Sequence, residues 1–310
     1  MRYIIPSYGR PDLQITLKSL PEKYLKTVDL MVVPSEYKAY KKGWYADKVR
    51  SIECWPSHID CVPKKRKWAA ENFKEDYMLI DDDIQLYVWS KKQDKFVRPD
   101  VEPMRFEREW AERIPSLFRK YAGVSLGNKF MADPWVRENG LFKRNNLGFV
   151  FSGFAKDAPR DKIKYNRVFA FTDISLPLQM WQLTGKSLVY YGLCYNHASR
   201  RELMTTGMST YRDDFVKVDS AIKMARMFPG IVTGYKKTNA AGGGYTLTKF
   251  FSRVKDGPSP ANLKATSVFL EEMLIKHKLK RLPKMFEYED EMPRAEIIKL
   301  FKSNWKKAQA

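Results

Sequence analysis

Short apolar runs broken by Pro, Gly and charge recur along the first third of the chain, and their lengths separate strands from helices. Tyr3-Ile4-Ile5 and Val28-Asp29-Leu30-Met31-Val32-Val33 have strand length, and Pro34 stops the second. Leu13, Leu17 and Leu20 share one face before Pro21, which predicts a helix starting at Pro11. Ile59-Asp60-Cys61-Val62 leads into Pro63, which suits the start of a helix running to Phe73. Tyr77-Met78-Leu79-Ile80 is again of strand length and ends in Asp81-Asp82-Asp83. Strand, helix, strand, linker, helix, strand is the order of a nucleotide-binding half of a parallel sheet with right-handed crossovers.

Further on, Glu109 to Phe118 reads as a helix interrupted near Pro115, and Tyr121 to Leu126 as a strand. Residues 127–146 are rich in Gly, Asn and aromatics with little period, which predicts a long irregular binding loop. Leu147 to Phe151 reads as a strand. Val168 to Phe171 is extended and delivers Thr172-Asp173 to a short helix packed through Leu176, Met180 and Leu183 and closed by Gly185. Lys186 to Tyr191 returns as a strand toward His197. After about residue 200 the periods become helical: Phe215, Val218, Ile222, Ala225; then Val268, Leu270, Leu274, Ile275; then Ile297, Phe301, Trp305. The expected architecture is α/β, with a mostly parallel nucleotide-binding sheet in residues 1–200 and a mainly helical lobe in 201–310. Tyr235 to Tyr245 is basic, aromatic and glycine-rich, and reads equally as a segment that closes over a ligand, one that lies along a nucleic-acid backbone, or a surface loop.

Charge changes the picture of partners. In 310 residues, 56 Lys+Arg against 36 Asp+Glu leave a formal charge of +20, spread along the chain. That balance favours a polyanionic partner, nucleic acid ahead of an anionic membrane. The three cysteines, Cys54, Cys61 and Cys194, have neither disulfide-framework nor metal-site spacing, so a reducing compartment is expected. The chain opens directly on a strand without an apolar leader and contains no run of membrane-spanning length, so a cytoplasmic protein without a membrane partner is expected. No Gly-x-Gly-x-x-Gly fingerprint and no phosphate loop ending in Lys-Ser/Thr is present, which argues against dinucleotide or simple nucleoside triphosphate use.

Three adjacent aspartates at a strand end repel one another. They suit either a hard divalent cation at the carboxyl edge of a parallel sheet or an acidic solvated turn. The loop Pro6-Ser7-Tyr8-Gly9-Arg10 falls on the same edge, with backbone donors and Arg10 available to phosphate. In Lys64-Lys65-Arg66-Lys67 the cations are either a solvated helix end or, at Lys65 and Arg66, groups that face a ligand. Asp173 is either a helix cap or a carboxylate held rigidly for chemistry. His197, one of three histidines, is either structural or a ligand, and His58 and His277 have no comparable context.

Ile5-Pro6-Ser7-Tyr8-Gly9-Arg10-Pro11, then Lys65-Arg66-Lys67-Trp68-Ala69-Ala70-Glu71-Asn72, then Leu79-Ile80-Asp81-Asp82-Asp83-Ile84, resemble in that order the metal-dependent glycosyltransferases of the type A fold. The resemblance covers roughly residues 1–200. It implies that Asp81 and Asp83 match the outer pair of an Asp-x-Asp metal motif, with Asp83 favoured as direct ligand and His197 as a third ligand of Mn²⁺ or Mg²⁺. Pro6, Ser7, Tyr8, Arg10, Lys65, Arg66, Asp81 and Asp82 are then the expected contacts of a nucleoside-diphosphate sugar, expected to be a UDP-sugar. Asp173 matches the base of inverting members, although Thr172 stands where the family commonly has an acid, as does Ser175. Layout and charge most resemble phage enzymes that glycosylate hydroxymethylated pyrimidines in DNA, including those associated with pyrimidine-oxidising dioxygenases. This implies double-stranded DNA as acceptor and, for a phage protein, the host cytoplasm as location. A polysaccharide or protein acceptor, or a nucleic-acid-binding protein of the same fold without activity, are the alternatives.

Overall fold

The computed structural model describes residues 1–144, 152–197, 214–236, 245–250 and 258–310. The expected strand Leu147 to Phe151 and the centre of the Tyr235 to Tyr245 segment lie outside the described residues. Ten strands form one sheet: β1 Arg2–Pro6, β2 Val28–Val32, β3 Ser51–Cys54, β4 Tyr77–Leu79, β5 Ile84–Ser90, β6 Lys95–Val97, β7 Gly123–Asn128, β8 Phe142–Arg144, β9 Ser152–Phe154 and β10 Ser187–His197. Their order is β3-β2-β1-β4-β9-β7-β10-β5-β6, with β8 also beside β10. Successive residues of β1 to β4 serve opposite faces, as strand geometry requires. Tyr3, Ile5, Leu30 and Met78 pack with Leu17, Leu20 and Leu25. Ile4, Met31 and Leu79 pack with Trp55, Ala69 and Phe73. Helices thus cover both faces, which is why these strands read as near-continuous apolar runs.

The sheet is mixed rather than mostly parallel. β3, β2, β1 and β4 run parallel, as do β7 and β10. β9 is antiparallel to both its neighbours, and β5 and β6 return as an antiparallel meander beside β10. The direction of a strand is decided by its pairing partners, and the apolar runs carried no record of those.

Three other expectations change. The helix expected from Pro11 is only Ile15–Ser19, because Gln14 donates to Ser7 Oγ and to the Arg10 carbonyl, both at 2.8 Å, and binds the preceding residues into a loop. The stretch 127–146 is not irregular: Lys129–Asn139 is a helix, capped by the Asn128 side chain accepting from the Phe130 N–H. Pro134 and the flanking Asn residues disguised it. The helix near Pro115 begins at Pro103 and runs through a π-helical turn at Arg108–Arg113, whose wider ring leaves room for a proline without an N–H. The single strand β10 carries a bulge between Tyr190 and Cys194, around Gly192.

The C-terminal region is helical, as expected, with helices Asp214–Met227, Pro260–Lys276 and Arg294–Gln309 and a hairpin of β11 Val232–Lys236 and β12 Tyr245–Phe250. One core cluster joins Cys61, Phe169 and Ala170 to Val216, Tyr288, Ile297 and Phe301 of that region. Polar ties follow the same seam: Lys64 Nζ donates to the Met292 carbonyl at 2.6 Å, and Lys67 pairs with Asp290. Among the described residues, no helix is long and apolar enough to cross a membrane.

Arg160, only 7% exposed, closes the far end of the fold. Its guanidinium donates to the carbonyls of Ala155, Phe73, Glu75 and Phe154 at 2.7 to 3.0 Å. Orphaning a buried carbonyl costs about 1–3 kcal/mol. Arg160→Met should therefore lower the unfolding free energy by about 3 kcal/mol or more, read by denaturant titration. A loss below about 1 kcal/mol would show that water replaces the guanidinium.

Candidate functional site

β1 sits between β2 on one side and β4 on the other, so the chain reverses its direction of travel across the sheet at the β1–β4 gap. Crevices outside the carboxyl ends of strands at such a reversal are where open α/β sheets bind ligands. The loop after β1 and the aspartates after β4 both lie there.

The two segments are locked together. Arg10 Nη1 donates to Asp82 Oδ1 at 2.8 Å and to Asp83 Oδ2 at 3.0 Å. Ser7 Oγ donates to Asp82 Oδ2 and receives Gln14 Nε2, with Tyr40 Oη 2.7 Å away. Gly9, with φ of 69°, turns the loop where a side chain would be strained, and its N–H donates to Glu36. Thr16 secures the aspartate backbone: its Oγ1 donates to the Asp81 carbonyl at 2.6 Å and receives the Ile84 N–H at 3.1 Å. Ser7, Arg10 and Asp82 are accordingly the frame of the site. This corrects the expectation that Arg10 stands open to a phosphate, since it is 7% exposed with its guanidinium on the aspartates. Pro6 ends β1, and Tyr8 is the residue of this loop whose ring faces a cation.

Lys65 and Arg66 lie on the Val62–Asn72 helix, 4% and 8% exposed. Lys65 Nζ lies 5.9 Å from the Tyr8 ring centre and 5.8 Å from that of Trp55. Burial pulls its pKa down to about 8, against the field of Asp82. Among the described residues neither cation has a hydrogen-bond acceptor or an ion-pair partner. Lys64 and Lys67, on another side of the same helix, are structural. Helical spacing thus sorts a run of four cations into a paired set, Lys64 and Lys67, and a set without acceptors among the described residues, Lys65 and Arg66.

Asp81 and Asp83 are half-buried and Asp82 is buried. Burial and then the neighbouring Asp83 carboxylate push the Asp81 pKa up, while Arg66 and His197 draw it down. Burial raises the Asp82 pKa to about 6 despite Arg10 and Ser7. Asp83 goes the other way: His197 and Arg10 hold its pKa below the usual carboxylate value, overcoming burial. His197 ends β10 opposite Ile84 of β5, so pairing register carries it to the aspartates. At 3.8 Å, His197 Nδ1 and Asp83 Oδ1 form an ion pair beyond hydrogen-bond reach, and Asp83 raises the imidazole pKa. Among the described residues, Asp83 Oδ1 is a buried oxygen with no hydrogen-bond partner.

Asp173 is the second residue of helix Thr172–Thr184, and the cap position belongs to Phe171. Phe171 has φ of 63°, a left-handed conformation that costs a bulky residue roughly 1–3 kcal/mol. It is sustained by packing against the clusters of the helical region, and by Ser220 Oγ receiving the Ala170 N–H at 3.0 Å. The field of Asp173 reaches Asp81, Tyr195 and His197 and adds to the upward shift of each pKa. The structure therefore sets His197 beside Asp83, with Arg66 and Asp173 near enough to act on Asp81 electrostatically.

Tyr195 was not legible as a site residue. It lies two positions before His197 on β10, their rings 5.5 Å apart, and period two alone would have placed both on one face. Thr16, a hydroxyl inside an apolar stripe, was a second missed signal.

Burial, and after it repulsion from Asp83, disfavours the charged form of Asp81, so its raised pKa carries a stability cost. A carboxyl with a raised folded pKa contributes stability below about pH 4, the unfolded value, and loses it as pH rises through the folded one. Asp81→Asn should thus match wild type near pH 4 and exceed it at neutral pH by about 1 kcal/mol or more. Melting curves of both proteins across that range provide the check, and a variant less stable at neutral pH contradicts the repulsion.

No family model matches the chain, and no curated protein does. Among solved structures, a mycobacterial protein known from a crystal structure is similar at 9% identity with a TM-score of 0.42, over 80% of this chain and 83% of that one. A likeness that loose carries no functional argument.

Proposed function

We propose that the protein is an inverting, metal-dependent glycosyltransferase of the type A fold. On this reading it moves a sugar from a nucleoside-diphosphate donor, a UDP-sugar, to the hydroxyl of a hydroxymethylpyrimidine in DNA. The observation that carries the reading is a pair of buried cations, Lys65 and Arg66, that have no hydrogen-bond acceptor among the described residues and act electrostatically on the aspartate turn at the sheet's reversal point. A diphosphate offers the acceptors they lack, and a desolvated cation binds phosphate more strongly than a hydrated one. The ordered motifs and the +20 charge favour DNA over a polysaccharide or protein acceptor.

The donor set suits Mn²⁺ or Mg²⁺. Among the described residues Asp83 Oδ1 has the His197 ion pair but no hydrogen-bond donor, and Asp81 is crowded by a like charge. Among the described residues no three such side chains converge on one point, so a bound diphosphate would complete the shell. When bound there, the ion would supply charge stabilisation for the departing nucleoside diphosphate. Asp173, at the helix start, takes the proton of the acceptor hydroxyl as that oxygen attacks the anomeric carbon. The Phe171 turn holds Asp173 against displacement, and a misplacement of about 1 Å can cost roughly 100-fold in rate. Arg10 and Ser7 keep the aspartate turn from opening, and Lys65 and Arg66 hold the diphosphate.

Two measurements test the reading. Nucleoside mass spectrometry of hydroxymethylated DNA incubated with the protein, Mn²⁺ and a panel of sugar nucleotides should reveal a hexose-sized addition to the modified base. Donor hydrolysis without base modification moves the acceptor to a polysaccharide or protein. Asp173→Asn should keep donor and DNA binding while losing turnover by roughly 100- to 10,000-fold. Its melting temperature should barely change, because a first-turn carboxylate is worth only about 0.3–1 kcal/mol to a helix. An active variant, or a product with the donor's anomeric configuration, excludes Asp173 as the base of an inverting transfer.

A further inference from the structure

We propose that the C-terminal lobe carries a groove for one sugar-phosphate strand of a DNA duplex, remote in sequence from the chemistry. The inference rests on the DNA-acceptor reading and assigns it a surface. A cavity of about 450 Å³ opens between the segment after helix Pro260–Lys276 and the last helix, Arg294–Gln309. Its walls present Arg281, Lys284 and Lys307, all exposed, and among the described residues no acidic one lines it. Lys280 and Lys306, also exposed, flank it in sequence.

The walls are fixed relative to one another. Lys280 and Arg281 donate their N–H groups to the Ala308 carbonyl at 2.8 and 3.3 Å. Lys284 N–H donates to Asn304 Oδ1 at 3.2 Å, and Asn304 Nδ2 returns to the Lys284 carbonyl at 2.7 Å. Cation spacing is therefore set by the backbone and not only by mobile side chains. Charge is also sorted within the stretch: Glu287 pairs with Lys164 and Arg167, and Asp290 with Lys67, both outside the groove. Glu287 and Asp290 thus face the rest of the protein, while Arg281, Lys284 and Lys307 give the groove walls a positive potential.

Shape and floor decide the partner. Leu282, Phe286 and Leu300 line the groove between the cations, and Phe286 packs on Phe301 with ring centres 5.1 Å apart. An apolar floor with a cationic rim fits deoxyribose faces flanked by phosphates. A concave groove also fits the convex edge of a duplex strand, whereas a flat anionic bilayer meets only the rim. The binding is phosphate-driven and blind to sequence.

The test uses the full chain and an unmodified duplex, with affinity measured across a salt series. Replacing Arg281→Gln, Lys284→Gln and Lys307→Gln together should lower the log–log salt slope by about two to three units, at about 0.9 for each phosphate no longer neutralised. Melting temperature and Mn²⁺-dependent UDP binding should stay as in wild type. A control removing the same charge elsewhere, at exposed Lys26→Gln, Lys38→Gln and Lys42→Gln, should leave the slope nearly unchanged. If wild type binds duplex but the groove variant keeps its slope, or the control falls equally, the groove assignment is overturned and the DNA reading stands. If wild type binds no duplex at low salt, the DNA reading falls and the groove with it. Groove-dependent binding to phosphatidylserine vesicles without duplex binding would overturn the proposal in favour of a membrane surface.

Discussion

Arg10 on Asp82 and Asp83 is the contact on which the rest of the site depends. Three consecutive carboxylates would splay apart or take up protons if left alone. One buried guanidinium, with the Ser7 hydroxyl, ties two of them to the loop from the neighbouring strand. A buried ion pair of this kind adds little net stability, because desolvating its charges offsets much of their attraction. What it supplies is position: two loops from adjacent parallel strands keep one relative geometry, leaving Asp81 and one oxygen of Asp83 for other work.

Around that lock the molecule holds charge in uneven states. Asp82 is satisfied, Asp83 is half satisfied, and Asp81 is crowded. Lys65 and Arg66 are largely withdrawn from water and have no hydrogen-bond acceptor among the described residues. Each departure costs folding free energy, and each lies at the same sheet edge, together with the left-handed Phe171. Strain and unmet polar groups thus concentrate in one place, the pattern on which the proposed site rests.

Local signals carried much of this. Tyr77 to Asp83 announced a strand meeting a cluster of like charge, and Gly185 closed its helix where expected. Helical periods after residue 200 survived because amphipathic spacing is written in single residues. Elements failed where their cause was distant. β3 needs β2 to exist, and the antiparallel β9 needs both β4 and β7. Helix Lys129–Asn139 was hidden by Pro134, whose effect depends on its place in the helix. At the site, residue types were legible but partners were not: Arg10 read as a phosphate contact because nothing local says it will meet Asp82 from 72 residues away. Tyr195 and Thr16 are visible only once register and packing are known.

The seam between the sheet and the helical region has a consequence for how the protein is divided. Phe169 and Ala170, just before Asp173, share a core with Val216 and Phe301, and Cys61 at the foot of the cation helix belongs to it as well. A boundary near residue 200 marks a change in style of structure, not a line along which the molecule comes apart. A fragment ending there would lay bare the apolar faces beneath both the cation helix and the Asp173 turn. Such a piece is a half-built interior, because Ile297 and Phe301 of the last helix complete that core.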